Sequence, residues 1–190
     1  MSLKAFSIVA SLMFFLFVSA TADAGYARQL SRATESGKIY RIENMDATLM
    51  WHVTFFSDDF RNAFEKKHLK LHRGLDETEK ELFISKQNEQ QEKYWEFFVG
   101  LYTKEDYKYF SDGSGSFWKV YITTQNGERV EPISISQVNI TPYERQIFPY
   151  LHRWSRAYRL LFPKVDLGDK FKLTATSVMG TSVLNWKIKN

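Results

Sequence analysis

The sequence contains no cysteine and only four prolines, and the first absence removes several classes of protein. Without cysteine the 190-residue chain has no disulfide, no thiolate ligand for zinc or an iron–sulfur cluster, and no thiol nucleophile. Glycine-rich phosphate loops and the nucleophile elbow of serine hydrolases are also missing from the sequence. The net charge of +4 is too small to indicate a nucleic-acid-binding protein. No motif names a reaction, and we predict no cofactor.

Aromatic residues are plentiful and compensate for the missing disulfides. They make up 16% of the chain, and apolar residues as a whole make up 44%. Because each aromatic side chain buries a large area, a chain of this length can form one domain with a substantial core.

The first 24 residues have the pattern of a secretory signal peptide. Lys4 precedes the uncharged apolar run Ala5–Val18, and small residues follow it. The A-x-A pattern allows cleavage after Ala22 or Ala24. No later run approaches the roughly 20 apolar residues of a membrane span, so we expect none after cleavage. An exported protein without cysteine suits the bacterial periplasm, with secretion as the alternative.

Residues 25–37 read as a polar leader, and residues 38–190 as a single β-rich domain whose first strand is expected over 38–44. Over 47–56 the side chains of Leu49, Trp51, Val53 and Phe55 share one face, and this alternation is typical of a half-buried strand. Residues 94–102 carry apolar side chains on both faces and predict a central strand. Asn126-Gly127 predicts a hairpin turn, after which 129–138 reads as one strand. Further strands are expected at 155–162, 170–177 and 182–189.

A helical insert is predicted over residues 57–92. Ser57-Asp58-Asp59 is a suitable helix start, and Phe60 and Phe64 then lie on one face of a helix. A second, more polar helix is predicted over 76–93, and we expect it on the surface as a part suited to contact a partner. The pattern as a whole predicts a mainly β, α+β fold: an antiparallel immunoglobulin-like β-sandwich with an inserted helical pair, preceded by the signal peptide.

Several segments of the C-terminal half have a familiar form: Pro132-Ile133-Ser134, Phe148-Pro149-Tyr150, the run Ala157–Pro163 (AYRLLFP) and Leu184-Asn185-Trp186. Together with the helical insert before YWEFFVGLYT, they resemble an uncharacterised family of bacterial exported proteins and lipoproteins with no known activity. This chain lacks the lipid-attachment cysteine that some of those proteins carry, so lipid tethering is not implied.

His68 and His72 are candidate metal ligands, because the i, i+4 spacing puts both on one side of a helix. HLKLH lacks the glutamate that serves as the base in H-E-x-x-H sites. A third ligand would have to come from elsewhere in the chain, the candidates being Asp58, Asp59, His52 and His152. The alternative is that both histidines flank the apolar stripe and reach solvent.

The C-terminal segment is basic. From Thr141 onward it contains nine Lys or Arg residues against three acids. Arg153, Trp154, Arg156 and Arg159 combine cations with an aromatic residue, as binding surfaces often do. If these residues form a strand, Arg153 and Arg159 share one face and Arg156 takes the other. We expect a partner that is another envelope protein or an anionic envelope component, and no nucleic acid.

The leading hypothesis is therefore a non-catalytic exported envelope protein that binds such a partner. Two alternatives remain open. One is a metal-assisted hydrolase using His68 and His72, and the other is a carrier of a small apolar ligand held between the sandwich and the insert.

Overall fold

The computed structural model describes residues 24–40, 47–104, 109–110 and 116–188. Residues 1–23, which hold almost all of the predicted signal peptide, lie outside them. Along the described chain the elements are α1 (24–33), β1 (Thr34–Tyr40), β2 (Ala47–Phe55), α2 (Asp58–Leu71), α3 (Glu77–Lys93), β3 (Tyr94–Tyr102), β4 (Lys119–Thr123), β5 (Arg129–Val130), β6 (Ser134–Val138), α4 (Pro142–Ile147), β7 (Arg156–Pro163), β8 (Lys170–Ser177) and β9 (Gly180–Lys187). None of the helices described here has the length and apolar character needed to cross a membrane.

The strands form two sheets in which all of the described pairings are antiparallel. The first sheet has the order β1-β2-β3-β7-β6, and the second has the order β5-β4-β8-β9. The fold is thus α+β with mostly antiparallel sheets, as the sequence predicted. The prediction that β3 is a central strand is also confirmed, since two strands lie on each side of it.

An aromatic core lies between the two sheets. Each of the alternate β2 residues predicted to face inward is at most 3% exposed: Leu49, Trp51, Val53 and Phe55. The ring centroid of Phe55 lies 5.0 Å from that of Phe171 on β8. The ring of Phe97 on β3 lies 5.6 Å from that of Trp186 on β9. These contacts join one sheet to the other through rings that the period-2 pattern orients inward.

The helices cover the other face of the five-stranded sheet with a second apolar cluster. Phe60 and Phe64 of α2 and Leu30 of α1 are buried there. Phe98 of β3 stacks on Phe148, with ring centroids 3.8 Å apart. The segment that follows α4, residues 148–151, approaches β3 so closely that a Cβ at Gly100 would lie 2.8 Å from a Leu151 methyl carbon. Since β3 is covered on both faces, its nearly continuous apolar sequence is explained.

β9 contacts β1, β2 and the end of α1 along one side of the two sheets. The indole Nε1 of Trp51 donates to Ser182 Oγ at 2.9 Å. The indole Nε1 of Trp186 donates to the carbonyl of Ala33, at the end of α1, at 3.0 Å. A Cβ at Gly37 would lie 2.3 Å from Ser182 Oγ, so only glycine allows this approach of β1 to β9.

Two predicted strand boundaries are wrong. Residues 129–138 do not form one strand, because β5 belongs to the four-stranded sheet and β6 to the five-stranded sheet. Pro132 lies between them, and it has no N–H group with which to continue a ladder. The first strand begins at Thr34 rather than Lys38, so residues 34–37 of the predicted leader pair with β2. Residues 41–44, predicted to continue that strand, lie outside the described residues.

Candidate functional site

A buried ion network attaches the helical pair to the sheet. Arg61 of α2 is 1% exposed and Glu96 of β3 is 2% exposed. Arg61 Nη2 donates to Glu96 Oε2 at 2.9 Å, and Arg61 Nη1 donates to Gln87 Oε1 of α3 at 2.7 Å. Arg159 Nε of β7 lies 3.0 Å from Glu96 Oε1. Each carboxylate oxygen of Glu96 thus has a cation beside it, although Arg159 Nε is placed for an ion pair and not for a hydrogen bond. The network connects four elements.

Sequence reasoning missed this network, although one signal for it was available. Glu96 is the single charged residue in the strand YWEFFVGLY, and a charge in a strand covered on both faces needs a partner. The partner is Arg61, which lies 35 residues earlier on a helix whose position cannot be derived from local periodicity.

His68 and His72 lie together as expected, but their rings stack on each other. Their centroids are 4.2 Å apart, and the opposite neighbour of His68 is the ring of Phe83 on α3, at 3.8 Å. His68 Nδ1 is 2.5 Å from the hydroxyl of Tyr143 on α4. His72 Nδ1 is 3.1 Å from the carbonyl oxygen of His68. In this arrangement one nitrogen of each ring already has a protein partner.

The environment of His68 also disfavours its charged form. Burial, and then the neighbouring His72, lower the pKa of His68 from 6.5 to about 4. Within the described ranges, no group of three His, Cys, Asp or Glu side chains is placed to hold a metal ion. The pair therefore contributes to packing between α2, α3 and α4.

The residues considered as third ligands have other neighbours. His52 on β2 stacks on Tyr150 at 5.2 Å, and its pKa is lowered by burial and by His152. His152 Nδ1 accepts the backbone N–H of Trp154 at 3.3 Å. Asp58 Oδ1 accepts from Gln91 Nε2 at 2.7 Å, across the two helices of the insert.

Arg153 and Trp154 occupy a turn before β7, so Arg153 is not on the strand face that alternation assigned to it. The Trp154 side chain is 61% exposed, and the Arg153 guanidinium lies 4.5 Å from its ring centroid. The turn is held by Ser155, whose N–H donates to the carbonyl of His152 at 3.0 Å. The Tyr109 hydroxyl donates to the Trp154 carbonyl at 3.3 Å. This exposed pair thus stands on a fixed backbone.

The other two arginines of the predicted basic group have different surroundings. Arg156 packs its guanidinium 4.0 Å from the ring centroid of Tyr109, close to the turn. Arg159 is engaged with Glu96 on the face covered by the helices. The structure therefore brings Arg153, Trp154 and Arg156 to one end of β7 and assigns Arg159 to the network.

A cleft of about 430 Å³ lies at the end of the two sheets that is opposite to the Arg153–Trp154 turn, and we call it the end cleft. The aromatic residues that line it are Phe55, Trp95 and Trp186, of which Phe55 and Trp186 are at most 5% exposed. Polar and charged residues also line the cleft, and they come from the end of α1, the start of β1, the start of α2 and the end of β9. Among them are Arg32, Glu35, Asp58, Asp59, Asn185 and Lys187. A cavity between the sheets and the insert was one of the alternatives considered, but its lining residues could not be predicted, because the contributing elements are distant along the chain.

No protein-family model, curated protein or solved structure matches the chain. Two surfaces of the described residues remain as candidate sites, namely the Arg153–Trp154 turn and the end cleft.

Proposed function

We propose that the chain is a non-catalytic protein, exported to the bacterial periplasm, that binds another envelope protein or an anionic envelope component. The exposed pair of Arg153 and Trp154 is the observation that carries this proposal. Tryptophan and arginine are the residues most enriched among those that dominate binding energy at protein interfaces. The turn that holds them is ordered by its own hydrogen bonds, so little conformational entropy is lost when a partner binds.

The basic character of this region favours an acidic or anionic partner. Arg153 and Arg156 lie at the same end of β7, and no acidic residue occurs between Arg145 and Lys164 in the sequence. Opposite charge on the partner would steer its approach, and burial of the Trp154 ring would then hold it. The resemblance to exported bacterial proteins and the signal-like pattern of residues 1–24 support the periplasmic location.

An immunoglobulin-like sandwich is the finer description of the fold that we propose. With β2, β3, β7 and β6 taken as strands A, B, E and D, the first sheet has the order A-B-E-D after the extra strand β1. With β5, β4, β8 and β9 taken as C′, C, F and G, the second sheet has the order C′-C-F-G. The helical pair then replaces the A–B turn. This correspondence supports a binding role, since such domains commonly act by presenting loops at the ends of the sandwich.

The test is a comparison of two exposed apolar residues. The mature protein is purified from its native compartment under mild conditions, and copurifying proteins and lipids are identified by mass spectrometry. Trp154→Ala is expected to lower recovery of the companion at least tenfold. Val178→Ala removes a side chain that is 93% exposed on the β8–β9 turn, and is expected to have no effect.

The two variants should melt within a few degrees of the wild type, because exposed substitutions rarely change stability by more than about 0.5 kcal/mol. A companion that is retained by Trp154→Ala, or lost equally with Val178→Ala, would exclude the turn as the binding surface. Binding of the purified protein to vesicles containing an anionic phospholipid distinguishes a lipid partner from a protein.

A further inference from the structure

The two sheets of the described chain end in four edge strands, and three of these are protected against pairing with another chain. β1 and β9 lie against each other along one side of the two sheets, and β1 also carries the exposed charges of Glu35 and Lys38. β5 consists of only two residues, Arg129–Val130. Covered edges, charged side chains and very short strands are the features by which proteins prevent pairing between sheets of different molecules.

β6 has none of these protections. It comprises the five residues Ser134–Val138, and among the described residues no strand pairs with its outer edge. Its inner edge pairs with β7, and Ile133 extends that ladder by donating its N–H to the carbonyl of Leu161 at 2.7 Å. No charged residue occurs between Glu131 and Glu144. Because alternate residues of an edge strand direct their N–H and C=O groups outward, β6 offers a second strand hydrogen-bonding groups and no charge that repels it.

The side chains of β6 are also compatible with a second strand beside it. Ile135 packs against the core between the sheets, and Val138 packs against the cluster under the helices. The exposed residues of the strand are Ser136 and Gln137, which are neutral and can both donate and accept hydrogen bonds. Ile133, just before the strand, is 60% exposed, and a strand added at this edge would cover part of it.

These features fit one occupant, and we propose that β6 pairs with the β6 strand of a second copy of this chain. A two-fold axis perpendicular to the sheet places two identical strands antiparallel, which is how all of the described strands pair. The register that uses all five residues centres on Ser136, which then lies opposite Ser136 of the second copy. The two five-stranded sheets become one continuous sheet across the dimer.

A second copy fits this edge better than a foreign strand does. It satisfies both open edges at once, whereas a foreign peptide would leave its own outer edge open. Charge does not oppose the pairing. Arg159 lies beside Ser136 on β7, but three strand spacings, or about 14 Å, separate it from Arg159 of the second copy. That distance exceeds the Debye length of about 8 Å at physiological ionic strength.

Charge variants at the two-fold axis test the proposal by sedimentation velocity over a hundredfold range of protein concentration. The mature protein is expected to show a reversible equilibrium between monomer and dimer. Ser136→Lys and Ser136→Glu each place like charges directly opposite each other, so each should weaken association at least tenfold. An equimolar mixture of the two variants places unlike charges opposite each other and should restore the dimer.

Two controls separate this effect from damage to the fold. Ser36→Lys and Ser36→Glu make the same changes at an exposed serine of the edge strand β1, and should leave association unchanged. The Ser136 variants also lose the hydroxyl that donates to the carbonyl of Arg159 at 3.5 Å. That loss is common to both variants and would persist in the mixture, so recovery of the dimer can come only from the opposed charges. Thermal unfolding checks that all four variants are folded.

A cross-link measures the register directly, because the chain contains no cysteine. Residues directly opposite each other in an antiparallel pair have Cα atoms about 4.5–5.5 Å apart, which is within the range of a disulfide. Under mild oxidation Ser136→Cys is therefore expected to form a disulfide-linked dimer at least tenfold faster than Ser36→Cys.

Each of four results would overturn the proposal. The mature protein could be monomeric at every concentration, or the Ser36 and Ser136 charge variants could associate equally well. The mixture of Ser136→Lys and Ser136→Glu could fail to restore the dimer, or Ser36→Cys could cross-link as fast as Ser136→Cys. A monomer whose β6 edge captures a strand of another protein would likewise exclude the second copy as the occupant.

Discussion

Replacing Glu96 by glutamine tests whether the buried ion network anchors the helical pair. The carboxylate accepts from Arg61 at one oxygen and lies 3.0 Å from Arg159 Nε at the other. Glutamine has nearly the same shape but no charge, and its amide nitrogen cannot accept a hydrogen bond. The change therefore leaves the Arg61 guanidinium, whose side chain is 2% exposed, without a counter-ion.

The expected loss follows from that burial. Removing one partner of a buried ion pair costs about 3–5 kcal/mol, because the remaining charge stays desolvated. Arg159 contributes less to the loss than Arg61, since its side chain is 39% exposed against 2% for Arg61, although its Nε atom beside Glu96 is buried. For a chain of this length each kcal/mol corresponds to roughly 2–4 °C in Tm, so Glu96→Gln should lower Tm by roughly 10 °C.

Urea unfolding, followed by far-UV circular dichroism and tryptophan fluorescence, measures the change in the free energy of unfolding. Glu131→Gln is the matched control. It makes the same chemical change in an exposed ion pair, in which the side chain of Glu131 is 58% exposed and that of Arg129 is 48% exposed. That variant should lose less than about 1 kcal/mol.

A double variant separates a stranded charge from lost packing. Arg61→Met in the Glu96→Gln background removes the buried cation and should restore part of the stability. The network does not anchor the helical pair if Glu96→Gln lowers the free energy of unfolding by less than about 1 kcal/mol, or if Glu131→Gln lowers it by the same amount.

Two further predictions concern pH and backbone geometry. Because the pKa of His68 is about 4 in the folded state against 6.5 in the unfolded state, the unfolded state takes up the proton first. Stability should therefore fall as pH drops from 6.5 to 4. In His68→Phe the free energy of unfolding, measured in urea at pH 7.5 and 4.5, should change less between the two pH values. An unchanged pH dependence in this variant would contradict the prediction. Gly127 has φ +84°, so Gly127→Ala should cost about 1 kcal/mol of stability. Gly74→Ala, at a position with no atom near the added Cβ, is the control and should be near neutral. Thermal unfolding measures both variants, and equal effects would argue against backbone strain at Gly127.

The elements that the sequence predicted well are those whose burial pattern is local. Alternation in β2 identified its inward residues, and the 3.6-residue spacing of Phe60 and Phe64 identified the buried face of α2. The polar sequence of α3 predicted a surface helix, and the structure buries none of its residues. In each case the period of the pattern alone determines which side chains lie together.

The errors arise where the outcome depends on distant parts of the chain. The residues on either side of Pro132 have strand propensity, but nothing local indicates that they enter different sheets. The spacing of His68 and His72 correctly predicted that they are neighbours. It could not predict that Phe83 and Tyr143, from two other helices, would pack against these imidazole rings. The end cleft likewise combines residues from both ends of the chain.

The contacts of β9 with β2 and with the end of α1 have a consequence for the order in which the fold can form during synthesis. Trp51 and Ser182 are 131 residues apart, and Ala33 and Trp186 are 153 residues apart. The segments that contain Ala33 and Trp51 are synthesised long before β9, which supplies both of their partners. Until β9 has been made, the nascent chain therefore has an open seam at this side of the two sheets. Deletion of the eight residues of β9 would leave that seam open, so it should be far more damaging than the number of residues suggests.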